Sequence, residues 1–269
     1  SLELREAPVN HESMLNTARV MSDLNADVLG VVEAESRPVL SDFNKDIITA
    51  VGGTPYRHVM VIDGNDSRGI DVGILTKADF PIVRMTSHVD DRQANGEFVF
   101  SRDCPEYEIR TPKGNDLYVL VNHFKSKGFG TPASSNAKRL AQAKRVAEIV
   151  QALLDRNIQY IAVIGDLNDT PNSAPLAPLV GSGLLKDAYD HPNFNNGGFA
   201  GTYGSCTAAN KIDYLFLSPA LYDTVTSGGV IRTGMWPGVR PKKWDVYPSL
   251  VKEVHAASDH AALWVELDI

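Results

Sequence analysis

"YIAVIGDLND", residues 160–169, is a run of small and apolar residues that stops at Asp166, with Asn168 two places further on. Its length and content are those of a buried strand. A carboxylate at the end of such a strand is costly unless a cation or a proton joins it, although a single acid in that place more often serves a turn or a cap. The same arrangement recurs along the chain. "GVVEAE" supplies Glu33, "VLVNHF" supplies His123, "KIDYLF" supplies Asp213, and "AASDHAALW" (256–264) supplies Asp259 and His260. Caps do not explain so many strands ending in Glu, His, Asp/Asn, Asp and Asp/His. If these ends converge, the carboxylates repel one another until a divalent cation or a protonated histidine joins them. An oxygen-rich ligand set with few cysteines points to Mg²⁺, or to Mn²⁺ or Ca²⁺, rather than to structural zinc.

Around these ends lie further strands, "RHVMVI", "VGILT", "DLYVLVNHF" and "AALWVEL", each rich in Val, Ile, Leu and aromatics. Residues 11–25 place Met14, Ala18 and Met21 on one helical stripe that feeds the strand "DVLGVV". A second helix runs through "NAKRLAQAKRVAEIVQALLDR", with Leu140, Ala143, Ala147, Val150 and Leu154 on its apolar stripe. Lys138, Arg139, Lys144 and Arg145 fall mostly off that stripe, as a solvated face. "RTPKGND", 110–116, reads as a hairpin connection, so part of the sheet is antiparallel. Many strands and few helices favour a layered sandwich over a doubly wound fold, and no linker divides residues 1–269, which read as one domain. The longest irregular stretch, 228–254, interleaves Arg232, Arg240, Lys242 and Lys243 with Trp236, Trp244 and Tyr247, a composition suited to phosphate and base contacts.

The 269 residues are 43% hydrophobic and 22% charged, enough for a sizeable core, and the net charge of −7 argues against a coat for nonspecific nucleic-acid binding. A local basic groove survives that objection. No transmembrane segment is expected, and "SLELREAPVN" lacks the basic region and apolar core of a signal peptide. Its abrupt start is compatible with a removed leader, so a bacterial secreted or periplasmic protein and a cytoplasmic one both stay open. Cys104 and Cys206 are compatible with one bridge or two buried thiols. No G-x-S-x-G elbow, P-loop, G-x-G-x-x-G or H-E-x-x-H occurs. "DGNDSRGID", 63–71, departs from a calcium loop in the place of its glycine and in having Ile74 where a glutamate is required.

Taken in order, "ADVLGVVEAE", "RGIDVGILT", "LVNHFKSKG", "VIGDLNDTP", "KIDYLFLSP" and "SDHAALWVEL" resemble the motifs of the endonuclease/exonuclease/phosphatase superfamily, and within it the bacterial nucleases similar to deoxyribonuclease I. The resemblance runs from about residue 26 to the C-terminus. It implies an α/β fold, a four-layer α/β/β/α sandwich of two packed mixed sheets, and divalent-metal hydrolysis of a phosphate ester. By position, Glu33 would bind the metal with Asp259 assisting. Asp166 and Asn168 would orient water and a phosphate oxygen, Asp213 would hold His260, and Asp71 would orient His123. The family's opening strand, with its Asn, has no counterpart in this sequence, and Asn10 is not given that role.

The chemistry suits these residues. Charge develops on the phosphate oxygens as water attacks, and a cation held by carboxylates stabilises it. Two histidines supply acid and base near neutral pH. Lys125, Lys127, Arg240 and Lys242 are the candidate contacts to a nucleic-acid substrate, and no obligate protein partner is implied. A phosphatase or phosphodiesterase acting on a lipid head group or small metabolite is the alternative, since one site on this fold serves many substrates. A noncatalytic binding module is the third reading.

Overall fold

The computed structural model describes residues 10–128, 130–239 and 242–269. Helix α1, His11–Leu24, opens at Asn10, whose side-chain oxygen accepts the N–H of Ser13, and closes at Asn25 in the left-handed conformation. Asn10 is therefore a helix cap, and among the described residues no strand precedes α1. The chain continues into β1, Val28–Ala34, then α2, Arg37–Asp42, which passes through a π turn into α3, Ile48–Ala50. Next come β2 (His58–Ile62), β3 (Asp71–Thr76), β4 (Ile82–Thr86), β5 (Glu106–Arg110), β6 (Asp116–His123) and helix α4 (Pro132–Asp155). The remaining strands are β7 (Tyr160–Asp166), β8 (Lys186–Asp187), β9 (Phe194–Asn195), β10 (Asp213–Leu217), β11 (Val225–Ile231) and β12 (Ala262–Leu267).

The large sheet has the order β4-β5-β6-β7-β10-β8. It is mixed: β6 and β7 are parallel and the other pairs antiparallel. The 110–116 connection joins β5 and β6 as a hairpin, as expected. The second β layer is formed by two three-stranded sheets, β1-β3-β2 and β12-β11-β9.

Alternation along β6 and β7 explains why their sequences are apolar throughout. Leu117, Val119 and Val121 face the second β layer, packing with Val72, Ile74 and Val32. Tyr118 and Leu120, with Ile161 and Val163, face α4 and its Val146, Ile149, Val150 and Leu153. On the far side, α1 and α2 lay Ala18, Met21 and Leu40 over Val61 and Leu75. The layers therefore run α/β/β/α. Fully buried side chains such as Leu120 and Val163 each contribute roughly 1.5–3 kcal/mol by leaving water.

Two expectations are corrected. The charges of α4 do not form a simple solvated face, because Arg139 is 1% exposed and is held by Asp169, while Arg145 reaches Asp91. A guanidinium is long enough to pair inside while its helix position looks peripheral. The 228–254 stretch begins as β11, and its aromatics are structural. Trp244 packs edge-on against Phe199 and donates to the Met235 carbonyl, and Tyr247 donates to Asp23. Arg232 is buried with its guanidinium on the carbonyls of Asn196, Phe199 and Gly201. Cys104 and Cys206 are both buried free thiols. Among the described residues no helix is long and apolar enough to cross a membrane.

Candidate active site

Strand register gathers the site. His123 ends β6, Asp166 ends β7, and Asp213 begins β10; the pairing places His123 opposite Asp166 and Asp166 opposite Asp213. Three chemical side chains far apart in sequence thus share one row across adjacent strands. Gly165 makes the approach possible, since its φ is +124° and a Cβ there would lie 2.0 Å from the Asn122 carbonyl oxygen.

His260 joins from the turn before β12. Its Nδ1 lies 3.0 Å from both carboxylate oxygens of Asp213, and Ser258 shapes the turn by accepting the His260 backbone N–H. Thr202, buried and unremarked in the sequence, links the two segments. Its hydroxyl accepts the N–H groups of Ile212 and Asp213, and its carbonyl accepts that of Ala261. Behind Asp213, the buried Lys211 ammonium donates to the Asp213 carbonyl and to the Asp187 carboxylate. Tyr203 covers the outer side of the imidazole with ring centroids 4.7 Å apart. A single Thr or Tyr in a loop carries no sequence signal that separates it from its neighbours, so neither was expected here.

Asp166, Asp213 and His260 each offer a ligand atom, all within 4.8 Å of one another. Burial pushes the Asp166 carboxyl up to about 7, with the Asp213 charge adding to the effect. Asn168, in the left-handed conformation, answers it with its backbone N–H at 2.7 Å and its side-chain amide at 2.9 Å. Burial alone would lower the His260 pKa, but the hydrogen bond and charge of Asp213, with Asp166 and Asp259 beyond it, raise it to about 9. His123 behaves oppositely. Burial, then Arg102, His260 and Arg68, push it down to about 3, so its imidazole is neutral at pH 7.

The other expected residues are placed unevenly. Glu33 sits at a bulge in β1 with φ +61°, an uncommon conformation for a residue with a side chain, and it lines the same cleft as Asp166, Asp213 and His260. It lies outside the compact group of three. Asp259 is 71% exposed at its side chain, 3.9 Å from the His260 Nε2. Asp71 accepts the N–H of Gly64, and the expected hydrogen bond to His123 is not formed; the His123 Nδ1 has no hydrogen-bond partner among the described residues. That correction reflects the 63–71 turn, which folds back so that its own backbone takes the carboxylate. Lys127 is ion-paired with Asp169, Lys125 lies in the positive field of Arg102 and Arg68, and Lys242 is exposed on its loop. Arg240 lies outside the described residues. Arg102, also unanticipated, is buried against Asp66 and the Phe124 carbonyl.

The donor set tests the implied metal. The oxygen donors, Asp166 with its carboxyl raised by burial and Glu33 lining the same cleft, suit a hard divalent cation, while the His260 imidazole, held cationic by Asp213, is not a ligand in that form.

A family model described as Endonuclease/Exonuclease/phosphatase family matches residues 7–197. Among solved structures, a mannosyl-6-phosphatase from Bacteroides thetaiotaomicron superposes with a TM-score of 0.71 at 20% identity, covering 96% of this chain and 91% of that one. The human Nocturnin catalytic domain with bound sulfate gives 0.63 at 16% identity over 97% and 89%. Truncated TDP2 from Caenorhabditis elegans gives 0.60 at 17% over 93% and 88%. Among curated protein sequences, none matches this chain significantly.

Proposed function

This chain belongs to the endonuclease/exonuclease/phosphatase family, and from that premise we propose that it is a divalent-metal-dependent hydrolase of phosphodiester bonds acting on nucleic acid. The observation that carries the hydrolytic reading is the convergence of Asp166, Asp213 and His260 at one end of the large sheet. Glu33 and Asp166 would hold the ion, with Asp259 assisting, and the ion would supply charge stabilisation to the phosphate oxygens.

The residues of this chain do the rest. Asn168 fixes the Asp166 carboxylate, which orients the attacking water and receives its proton. His260, kept cationic by Asp213, stabilises the developing negative charge and has a proton to give to the leaving oxygen. His123 is neutral and lies beside Asp166, its Nε2 3.6 Å from the carboxylate and outside direct hydrogen-bond reach, where it can hold a water or a phosphate oxygen. Lys125, with Arg102 and Arg68 nearby, adds a positive flank for a substrate phosphate. The partly exposed Tyr203 ring offers a stacking surface for a base.

A second reading, hydrolysis of a small phosphorylated metabolite or lipid head group, is favoured by the engagement of cations that the sequence offers to substrate with other protein groups. Lys127 is ion-paired and Arg232 is buried. The structural likeness to a mannosyl-6-phosphatase supports the same reading. Parallel assays with Mg²⁺ or Mn²⁺ on plasmid DNA, single-stranded DNA, RNA, bis-p-nitrophenyl phosphate and sugar phosphates test the choice. Cleavage of nucleic acid is the expected result; turnover of the monoesters without nucleic-acid cleavage refutes the nuclease reading. Silence on every substrate refutes the hydrolase.

A further inference from the structure

The run "KIDYLF" brings more than Asp213 to the site. Lys211, two residues earlier, carries its ammonium into the interior and is 5% exposed. Burial disfavours the charge and lowers the Lys211 pKa. Three contacts offset that cost: Nζ lies 2.9 Å from the Asp187 carboxylate, 2.7 Å from the Asp213 carbonyl oxygen and 3.7 Å from the centre of the Tyr214 ring. The Tyr189 ring stands 4.8 Å away. Stability alone does not account for a cation here, because a buried ion pair can often be exchanged for apolar side chains of similar volume without loss. What a Met or a Leu could not do is donate to the Asp213 carbonyl.

Asp213 needs such a grip because it stands at the first position of β10. Its N–H is taken by the Thr202 hydroxyl at 3.1 Å and its C=O by Lys211, so side chains hold both polar groups of its backbone. Lys211 is itself anchored away from the cleft. Asp187 lies on β8, the edge strand of the large sheet, opposite Phe216 of β10, and its second oxygen accepts the Tyr189 N–H at 3.1 Å. At its other end Asp213 meets His260, with Nδ1 3.0 Å from both carboxylate oxygens. A carboxylate carried on two staggered torsions keeps that even sharing only where its backbone is fixed.

We propose that Lys211 is a positioning residue of the candidate site: seated on Asp187 and the Tyr214 ring, its ammonium holds the Asp213 backbone where the carboxylate orients the His260 imidazole. Lys211 acts through Asp213 and not on substrate. Its effect on turnover rests on the reading of His260 as the group that protonates the leaving oxygen; its effect on the His260 ring does not. Loss of the grip should lower kcat and kcat/KM together and leave KM in place, because the interaction matters in the transition state rather than in ground-state binding. It should be felt most where the leaving oxygen most needs a proton.

The test compares the wild-type chain with Lys211→Met/Asp187→Asn, which removes both buried charges and keeps an acceptor for the Tyr189 N–H. If the Met pair does not fold, Lys211→Gln/Asp187→Asn takes its place with the same expectation, since its amide is shorter than the lysine and stops short of the Asp213 carbonyl. NMR of the isotope-labelled, metal-free protein follows the His260 Nδ1 proton, assigned by its absence in His260→Gln. The expected result is a downfield, slowly exchanging signal in the wild type that is broadened or lost in the folded variant. With Mg²⁺ or Mn²⁺, kcat for a phenyl ester of phosphate should fall about tenfold at unchanged KM. The p-nitrophenyl ester, whose leaving group needs little protonation, should lose less than about threefold. An unchanged Nδ1 proton signal overturns the proposal whatever the chain hydrolyses. An equal loss on the two esters overturns it in favour of a purely structural role. No turnover by the wild type, with the Nδ1 signal lost in the variant, upholds the positioning and refutes the hydrolytic reading instead.

Discussion

The imidazole of His260 and the carboxylate of Asp213 meet with Nδ1 3.0 Å from each oxygen, a contact between a turn and a strand 47 residues apart. It fixes the ring orientation, leaves Nε2 facing the cleft and Asp259, and keeps the imidazole cationic. In the metal-free protein the His260 ring is expected to titrate near 9 by NMR. The Asp213→Asn variant removes the group that raises it, so its titration should move down. An unchanged titration in that variant contradicts the assigned cause. His260→Ala should cut turnover roughly 10²-fold or more through the loss of acid chemistry, and a wild-type rate in that variant would remove His260 from the mechanism.

Away from the site, His88 is buried with Nδ1 3.0 Å from Asp91 and Nε2 2.5 Å from Glu106. Burial disfavours its charge, but the two carboxylates outweigh that and raise its pKa above the ordinary value. A histidine with a raised folded-state pKa contributes stability that is complete below its unfolded value, about 6.5, and is lost as pH rises through the folded value. Urea unfolding should therefore show this contribution fading above pH about 6.5, and His88→Gln should flatten that part of the profile. An identical pH profile for the variant contradicts the account.

Arg139 and Asp169 form a buried pair 3.0 Å apart, and the same guanidinium donates to the Lys125 carbonyl. Removing one member leaves the other charge inside, at a cost of about 3–5 kcal/mol. Arg139→Met should lower stability by that order in chemical denaturation, even though Lys127 still reaches Asp169. A loss below about 1 kcal/mol would mean that the pair relaxes into solvent.

Gly165→Ala places a methyl group in the path of the Asn122 carbonyl at a positive φ. The strain and the clash together should cost at least about 3 kcal/mol, and the displaced β6–β7 register should take His123 and Asp166 out of line. A stable, fully active variant would show that the two strands can separate without consequence.

Much of this was legible in the sequence, for reasons visible in single residues. The apolar run ending at Asp166 became β7, and parallel pairing with β6 put His123 beside it, because buried strands announce themselves by composition and their register follows from packing. The Asp213–His260 pair was likewise placed by the order of the motifs. What was not legible depends on where long side chains turn. Arg139 and Arg232 look like surface cations by position, yet each reaches inward to a carboxylate or a carbonyl, while the exposed Lys127 is held against the buried Asp169. Asp71 follows the same lesson in reverse: the resemblance made it a partner for His123, and a backbone N–H seven residues earlier takes it instead. Thr202 and Tyr203 act through contacts that no local pattern encodes.

The measurement that bears most directly on the function is hydrolysis of bis-p-nitrophenyl phosphate by the wild-type chain and by Asp166→Asn, with Mg²⁺ or Mn²⁺, after EDTA, and after metal is restored. The account predicts turnover with metal, its loss on chelation, its return on re-addition, and a fall of roughly 10² or more in the variant. Turnover that survives EDTA, or an Asp166→Asn enzyme as fast as wild type, would contradict it.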